Sequence, residues 1–461
     1  MAGHLGKHEI NILAYDPYAT PAAAVSLGVT RVSVQELFAK SHVVSIQTPR
    51  LPETEKMINA PLLRSMLQAA LASTSGISIG DTAALIYTGA AASFNRKISL
   101  TSGTLTKNGT TLTLSSGSSG ITVSGAIGGS NAKSDLIIDG GSVTLASANS
   151  YNGPTSIING ATLTASAINA LPTTNGSSAT SIDATGTRSS TLALGTSQSV
   201  ASLTGEASSN VTLASNTLTI GTTSGNTTFA GRITGGSSSA LVKDGARTQT
   251  LTGNNSAFTG ATTINSGTLV AGAANAAGGT SSVIINNGGS FLVTADNAVG
   301  TNTAIELNGG RMAMGGNFNE NVGALTLSAN STIDFAGFSG ILRFSGIGSW
   351  AASATLSVWN WSGTTNWGTQ INNYQTPSRL VFADNSIVDS NLNNVNFYSD
   401  NGNSFIGKGF EEPFSQSGFS GTEIIAVPET ETYIAATLLL AGYGIFHLRR
   451  RAKRNTTFVN I

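Results

Sequence analysis

Ser142-Val-Thr-Leu145, Asn149-Ser-Tyr-Asn-Gly153, Thr155-Ser-Ile157 and Asn159-Gly-Ala-Thr-Leu163 return in the same order as Thr248-Gln-Thr-Leu251, Asn255-Ser-Ala-Phe-Thr-Gly260, Thr262-Thr-Ile264 and Asn265-Ser-Gly-Thr-Leu269. A stretch of small residues follows each copy, Ala165 to Ala170 and Ala271 to Ala277. Within a copy, β-branched or aliphatic residues alternate with Ser and Thr, which in an extended chain puts the apolar set on one face and the hydroxyls on the other. Asn and Gly cut the runs after a few residues, because they take the left-handed backbone that tight turns need. A unit of a few short strands cannot bury its apolar face alone, but stacked on further units it can. The repeat therefore predicts a β-solenoid rather than a sandwich.

Outward from the two copies, the same pattern fills residues 98–357. Thr111-Leu-Thr-Leu114, Ile121-Thr-Val123, Thr217-Leu-Thr-Ile220 and Ser282-Val-Ile-Ile285 alternate, and Asp139-Gly-Gly141, Asn287-Gly-Gly289 and Asn308-Gly-Gly310 separate such runs. The fold class expected is mainly β, a parallel β-solenoid, right-handed as parallel crossovers are. At roughly 20 residues per coil the stretch makes about 13 coils, and at about 4.8 Å per coil a rod of about 60 Å.

Composition narrows the function. The 461 residues carry 23 Lys+Arg against 23 Asp+Glu, four His and no Cys. A neutral chain is not built for nucleic acid. Without Cys there is no disulfide framework, thiolate nucleophile or Cys-based metal site. Residues 101–300 hold twelve charged side chains and no His, so the middle lacks the side chain most used for proton transfer near neutral pH. Its acids, among them Asp135, Asp139, Asp183, Glu206, Asp244 and Asp296, mostly lie beside turn residues, where Asp caps the backbone, and are not clustered as sugar hydrolysis requires. There is no repeated acidic nonapeptide for calcium, and no metal is expected.

All four tryptophans fall between Trp350 and Trp367. Trp359 and Trp361 alternate along Ser357-Val-Trp-Asn-Trp-Ser362, so both are expected on one face. They suit either an aromatic platform for a sugar or a hydrophobic plug, and the need to close an open coil end favours the plug. Residues 358–426 are read as a terminal cap and spacer, with 404–426 as Gly/Ser-containing spacer.

The repeat quoted at the outset resembles the autotransporter-associated β-strand repeat of bacterial surface passengers. That resemblance implies an exported, elongated surface protein and no single activity.

Residues 1–69 are a different kind of sequence, with eleven charges. Ile10 to Tyr15 reads as a strand, Ala22 to Leu27 as a helix stopped by Gly28, Ser33 with Glu36 as a capping box, and Val43 to Ile46 as a strand, a βαβ-like order. Leu13-Ala-Tyr-Asp-Pro-Tyr18, Gln35-Glu-Leu-Phe38, Val43-Val-Ser-Ile-Gln-Thr-Pro49 and Pro52-Glu-Thr-Glu-Lys-Met-Ile-Asn59 resemble the nucleotide-binding domain of D-isomer-specific 2-hydroxyacid dehydrogenases. The resemblance implies that Asp16 takes the adenosine ribose and that Thr48 and Pro49 line the cofactor. A dinucleotide fold wants G-x-G-x-x-G opening a helix, with the acid about 20 residues on. Here Gly3-His-Leu-Gly6 remains, and Asp16 follows Gly6 by ten residues. The family's catalytic Arg, Glu and His positions lie beyond residue 69, where the similarity ends. The segment is read as a truncated Rossmann-like α/β fragment without turnover, NAD being its alternative cofactor, and 70–97 as the junction.

The last 35 residues carry the sharpest functional signal. Val427-Pro-Glu-Thr430 precedes the apolar run 433–448, and Arg449-Arg-Arg451 opens a basic cluster ending at Arg454. Sixteen residues are slightly short of a bilayer span, and the cations that follow fit a stop for a C-terminal hydrophobic helix with its basic side in the cytoplasm. The order, over 427–454, resembles the PEP-CTERM sorting tail of Gram-negative bacteria, with Thr430 where the usual motif has Pro. It implies export machinery and an exosortase-type protease as partners, and delivery to the cell envelope or extracellular matrix, where extracellular polysaccharide or other cell-surface molecules are the contacts to expect. Residues 1–30 show no basic start, apolar run and small-residue cleavage site of a signal peptide. A cofactor-binding start and an exported remainder disagree on location, and a chimeric reading frame reconciles them.

Overall fold

The computed structural model describes residues 12–16 and 19–40, the strands between 77 and 116, and 120–427 apart from 130–133, 152, 173–178, 183–187, 222–224, 364–377, 384–385 and 417–418. From Ile77 on, the described chain winds as a parallel β-solenoid of about 10 turns. Parallel pairing opens with Ile77–Gly80 on Ile98–Thr101 and Thr82–Tyr87 on Thr110–Ser116, inside the stretch read as junction.

Three sheets run along the axis. The first stacks Ser134–Asp139, Thr155–Ile158, Ala179–Ile182, Ser202–Gly205 and onward through Gly289–Val293. The second, of seven strands, includes Ile121–Val123, Ser142–Leu145, Thr162–Ala165, Thr191–Leu194, Asn210–Thr212 and Arg232–Thr234. The third, of eight, runs from Gln198–Val200 through Ala240–Asp244 and Ser282–Asn286 to Ile347–Trp350. Leu136 aligns with Thr155, Thr155 with Thr180, Leu163 with Leu192 and Leu342 with Leu380, so coils take from 19 residues to 25, 29 and, near the far end, 38. That is why the turns number about ten and not thirteen.

The alternation read from the sequence is what places the core. In the second sheet Ile121, Val143, Leu163, Leu192, Val211 and Ile233 stack in register on the inner side, all buried. Each contributes about 1.5–3 kcal/mol by leaving water. Stacking also demands glycine where a corner passes close beneath its neighbour. A Cβ on Gly260 of the repeat would lie 1.9 Å from the Ser239 carbonyl oxygen, so no larger residue fits there.

Two expectations about the far end are overturned. Trp359 is half-buried and outward-facing whereas Trp361 is buried, packed edge-to-face on Phe335 and Phe397. The intervening Asn360 has φ 54°, which breaks the two-residue alternation between them. The segment 404–426, read as spacer, is a β-hairpin of Phe405–Gln416 and Phe419–Val427. Its glycines and serines masked the β-branched run Thr422-Glu-Ile-Ile-Ala-Val427. Arg379–Phe382 and Val395–Tyr398 continue the parallel stack on Ile341–Phe344 and Leu356–Trp359, and the hairpin pairs antiparallel with both. The open parallel edge is thereby closed by hydrogen bonds, while the buried Trp361 packs inside the last coils on Phe335 and Phe397.

Candidate functional site

The cofactor reading rests on the small N-terminal unit. Leu13–Ala14 and Thr30–Arg31 pair in parallel, joined through the helix Pro21–Ser26, whose first turn is capped by Thr20 accepting from Ala23 N–H. The capping box of the next helix, Val34–Lys40, forms as read: Glu36 N–H donates to Ser33 Oγ at 3.1 Å and Ser33 N–H to Glu36 Oε2 at 3.3 Å. Lys40 first, and Ser33 second, hold the Glu36 carboxyl below its ordinary range. Asp16 stands just past the first strand, exposed, with Oδ1 accepting from Ala19 N–H at 3.2 Å. Gly3, Gly6, Thr48 and Pro49 lie outside the described residues, as does the strand read at Val43 to Ile46. Asp16 is thus the single cofactor candidate with a known position, and it sits at a strand's C-terminal end, where dinucleotide folds place such an acid.

Of the sorting residues, Val427 ends the closing hairpin, opposite Lys408. Pro428, Glu429, Thr430, the run 433–448 and Arg449, Arg450 and Arg451 lie outside the described residues. Among the described residues no helix is long and apolar enough to cross a membrane.

The solenoid offers its surface. On the outer side of the second sheet Thr122, Thr144, Thr164, Ala193, Thr212 and Thr234 form one column in register, and Ser142, Thr162, Thr191, Asn210 and Arg232 form its neighbour. With strands about 4.8 Å apart, a nearly neutral surface of hydroxyls and methyls repeats along the axis. Such a face donates and accepts hydrogen bonds many times over and exerts little long-range electrostatic pull.

The repeated motif itself does not build that face. Ser142–Leu145 lies in the second sheet, yet its counterpart Thr248–Leu251 lies in the first. Thr155–Ile158 lies in the first and its counterpart Ala261–Ile264 in the third. The two copies are displaced by one face around the axis, so their common residues cannot line up into one binding stripe. What they share is inside. Asn149 Oδ1 accepts from Ile127 N–H at 2.8 Å while Nδ2 donates to the Ala170 carbonyl at 2.7 Å. Asn255 does the same with Ile233 at 2.7 Å and Ala276 at 2.8 Å. Each buried amide thereby clamps the coil before it to the coil after it. Gln198 accepts from Leu171 N–H and donates to the Ala167 carbonyl, and Glu320 accepts from Ala298 and Val299 N–H, each reaching back to the coil before it. The repeat's invariant place for Asn in both copies was the signal for this role, which alternation alone does not disclose.

Other polar groups are also spent on the fold. Buried Lys243 donates to the carbonyls of Asp244, Gly245 and Ser266 at 2.8, 2.6 and 3.0 Å, and burial lowers its pKa to about 8. At the same corner Asn286 Nδ2 donates to Asn265 Oδ1 at 2.8 Å and Asn308 Nδ2 to Asn286 Oδ1 at 2.9 Å, an amide ladder. Asp139 accepts from Asn159 and Asp244 from Gly245 N–H and Ser266, turn roles as the sequence led one to expect. Among the described residues no three His, Cys, Asp or Glu are grouped to hold a metal ion.

Known proteins resemble this chain in two separate places. Residues 1–88 match the family model of the D-isomer specific 2-hydroxyacid dehydrogenase, NAD binding domain. Residues 138–165 and 241–271, the two copies of the repeat, match that of the passenger-associated-transport-repeat. A 2-hydroxyacid dehydrogenase homolog of Haemophilus influenzae is 38% identical over 78 residues, 17% of this chain and 23% of that protein. The D-3-phosphoglycerate dehydrogenases of Mycobacterium leprae and of a Synechocystis species are each 33% identical, over 63 and 72 residues, 14% of this chain and 12% and 13% of theirs. The chain spans less than a quarter of the length of these curated relatives. The dehydrogenase match runs to residue 88 and so overlaps the strands Ile77–Gly80 and Thr82–Tyr87, which pair with solenoid strands.

Proposed function

We propose that this chain is an exported, non-catalytic scaffold of the cell envelope or extracellular matrix, sorted through its C-terminal tail, that adheres to neutral surface polymers such as polysaccharide. The observation that carries this reading is the repeat matched to passenger-associated-transport-repeats on a solenoid whose buried Asn149 and Asn255 hold neighbouring coils together. Adhesion would come from the hydroxyl columns of the second sheet. Each contact is weak, but a rod presents many in register, and binding strength then grows through effective concentration. Val427 to Thr430 would be the processing site, and Arg449 to Arg451 the cytoplasmic stop.

The test is peptide mapping by mass spectrometry on fractionated cells of the source organism. Peptides of the solenoid in the envelope or medium, ending near Val427, support the proposal. A peptide spanning Pro61 to Arg96 recovered only from the cytosol would overturn it.

A second reading, NAD binding by residues 1–88, is favoured by the dehydrogenase match and by Asp16 at its strand end. Titration of the full chain with NAD, followed by fluorescence or calorimetry, decides it. Saturable binding weakened by Asp16→Ala supports it, and the absence of a saturable signal removes it.

A further inference from the structure

Asn-Gly steps are the places where a protein chain can attack itself. The glycine N–H gives its proton to solvent as its nitrogen adds to the side-chain carbonyl carbon of the asparagine, the new C–N bond closes a five-membered imide as the Cγ–Nδ2 bond breaks, and ammonia leaves with a proton taken back from solvent. Water then opens either imide carbonyl and leaves aspartate or isoaspartate. Glycine permits this because it has no side chain to obstruct the approach. The attacking N–H and the side-chain amide must both be free to meet, so hydrogen bonds to either one oppose the reaction.

Four such steps stand among the described residues, and the fold treats them differently. At Asn159-Gly160 the side chain donates to Asp139 at 2.6 Å and Gly160 N–H donates to Ser190 Oγ at 3.1 Å. At Asn308-Gly309 the amide is tied into the ladder at Asn286, 2.9 Å away, and Gly309 N–H donates to Ser331 Oγ at 2.9 Å. At Asn401-Gly402 the side chain accepts from Asn360 Nδ2 at 3.0 Å, and Asn401 N–H donates back to Asn360 Oδ1 at 3.1 Å. At Asn287-Gly288, among the described residues, neither the side-chain amide nor the glycine N–H has a partner. Both residues are exposed at the corner between Ser282–Asn286 and Gly289–Val293, beside an open groove lined by Asn286, Asn308, Gly309 and Asn330.

From this difference we infer that Asn287 is a site of spontaneous deamidation on the folded protein, and that hydrogen bonding protects Asn159, Asn308 and Asn401. The product places a carboxylate next to the amide ladder. In its isoaspartyl form it also lengthens the backbone of a two-residue corner whose successor is tightly stacked, since a Cβ on Gly289 would lie 2.4 Å from the Ile264 carbonyl oxygen. Formation of isoaspartate at 287 therefore loosens the coils on either side.

The full chain is incubated at mildly alkaline pH, sampled over time, digested, and its four Asn-Gly peptides resolved by mass spectrometry with an isoaspartate-sensitive fragmentation. In the folded protein Asn287 is expected to lead the other three by about tenfold, equivalent to about 1.4 kcal/mol of barrier. In urea the four should converge. Ser331→Ala, which frees the Gly309 N–H, should raise the Asn308 rate while leaving Asn287 unchanged. Equal rates in the folded chain, or a lead by Asn159, Asn308 or Asn401, would overturn the inference.

Discussion

At the level of single residues, the buried amides decide whether coils stay together. Asn255→Ala leaves Ile233 N–H and the Ala276 carbonyl buried without partners, a cost of about 3 kcal/mol in all. The sharper variant is Asn255→Asp, nearly identical in volume but carrying an oxygen toward the Ala276 carbonyl. Urea midpoints should fall for both, and a near-native Asn255→Asp would show that shape rather than hydrogen bonding sets this position. Glu320 occupies a similar bracket with an ionisable group. Burial lifts its pKa to about 7, the N–H donors of Val299 and Ala298 opposing the rise and Asp296 adding to it. A folded pKa above the ordinary 4.5 means the native state holds the proton more tightly than the unfolded chain does. Glu320's contribution to stability is therefore complete below about 4.5 and is lost as pH rises through about 7, on the order of 3 kcal/mol across that window. Denaturation between pH values flanking that window should show a downward slope that Glu320→Gln reduces, and an unchanged slope would place the titration elsewhere.

Among elements, much of the architecture could be read from the chain before its coordinates. Alternation set which side chains of Ile121 to Val123 and Ser142 to Leu145 point inward, and the Ser33–Glu36 box located a helix start, because both depend on neighbours in sequence. What was not legible depends on sums or on single backbone angles. The displacement of the two repeat copies by one face follows from the total length of the coils between them, to which loops of unpredictable length contribute. The opposite environments of Trp359 and Trp361 follow from the one left-handed residue Asn360. Likewise nothing in Thr212-Leu-Ala-Ser-Asn216 marks Ala214, which holds φ 54° with its carbonyl accepting from Ser239 Oγ. An alanine in that region costs about 1–2 kcal/mol, and glycine gives back about 0.5–1 of this in backbone entropy. Ala214→Gly is expected to stabilise the solenoid by about 0.5–1 kcal/mol. A lower thermal midpoint for this variant would mean that the alanine methyl earns its place by packing.

On the scale of the whole molecule, a solenoid's weakness is its ends, since every internal coil is paired on both sides and a terminal coil on one. At the C-terminal end the hairpin Phe405–Gln416 and Phe419–Val427 satisfies the edges of Arg379–Phe382 and Val395–Tyr398. It is locked by Arg379 and Glu423, 2.7 Å apart with side chains 8% and 7% exposed. Ending the chain at Ser404 removes the hairpin, bares two strand edges and takes away the Arg379–Glu423 pair. A chain ending at Val427 keeps all of this and serves as the control. The shorter chain should associate edge to edge in a concentration-dependent way, seen as a rising scattering mass, while the control stays at its monomer mass. The buried charge pair, more than the strand edges, is responsible if Glu423→Gln in the Val427-terminated chain associates to the same extent. If the chain ending at Ser404 instead remains monomeric and melts with the control, the hairpin is an appendage, and the last parallel coil is stable with its edge open.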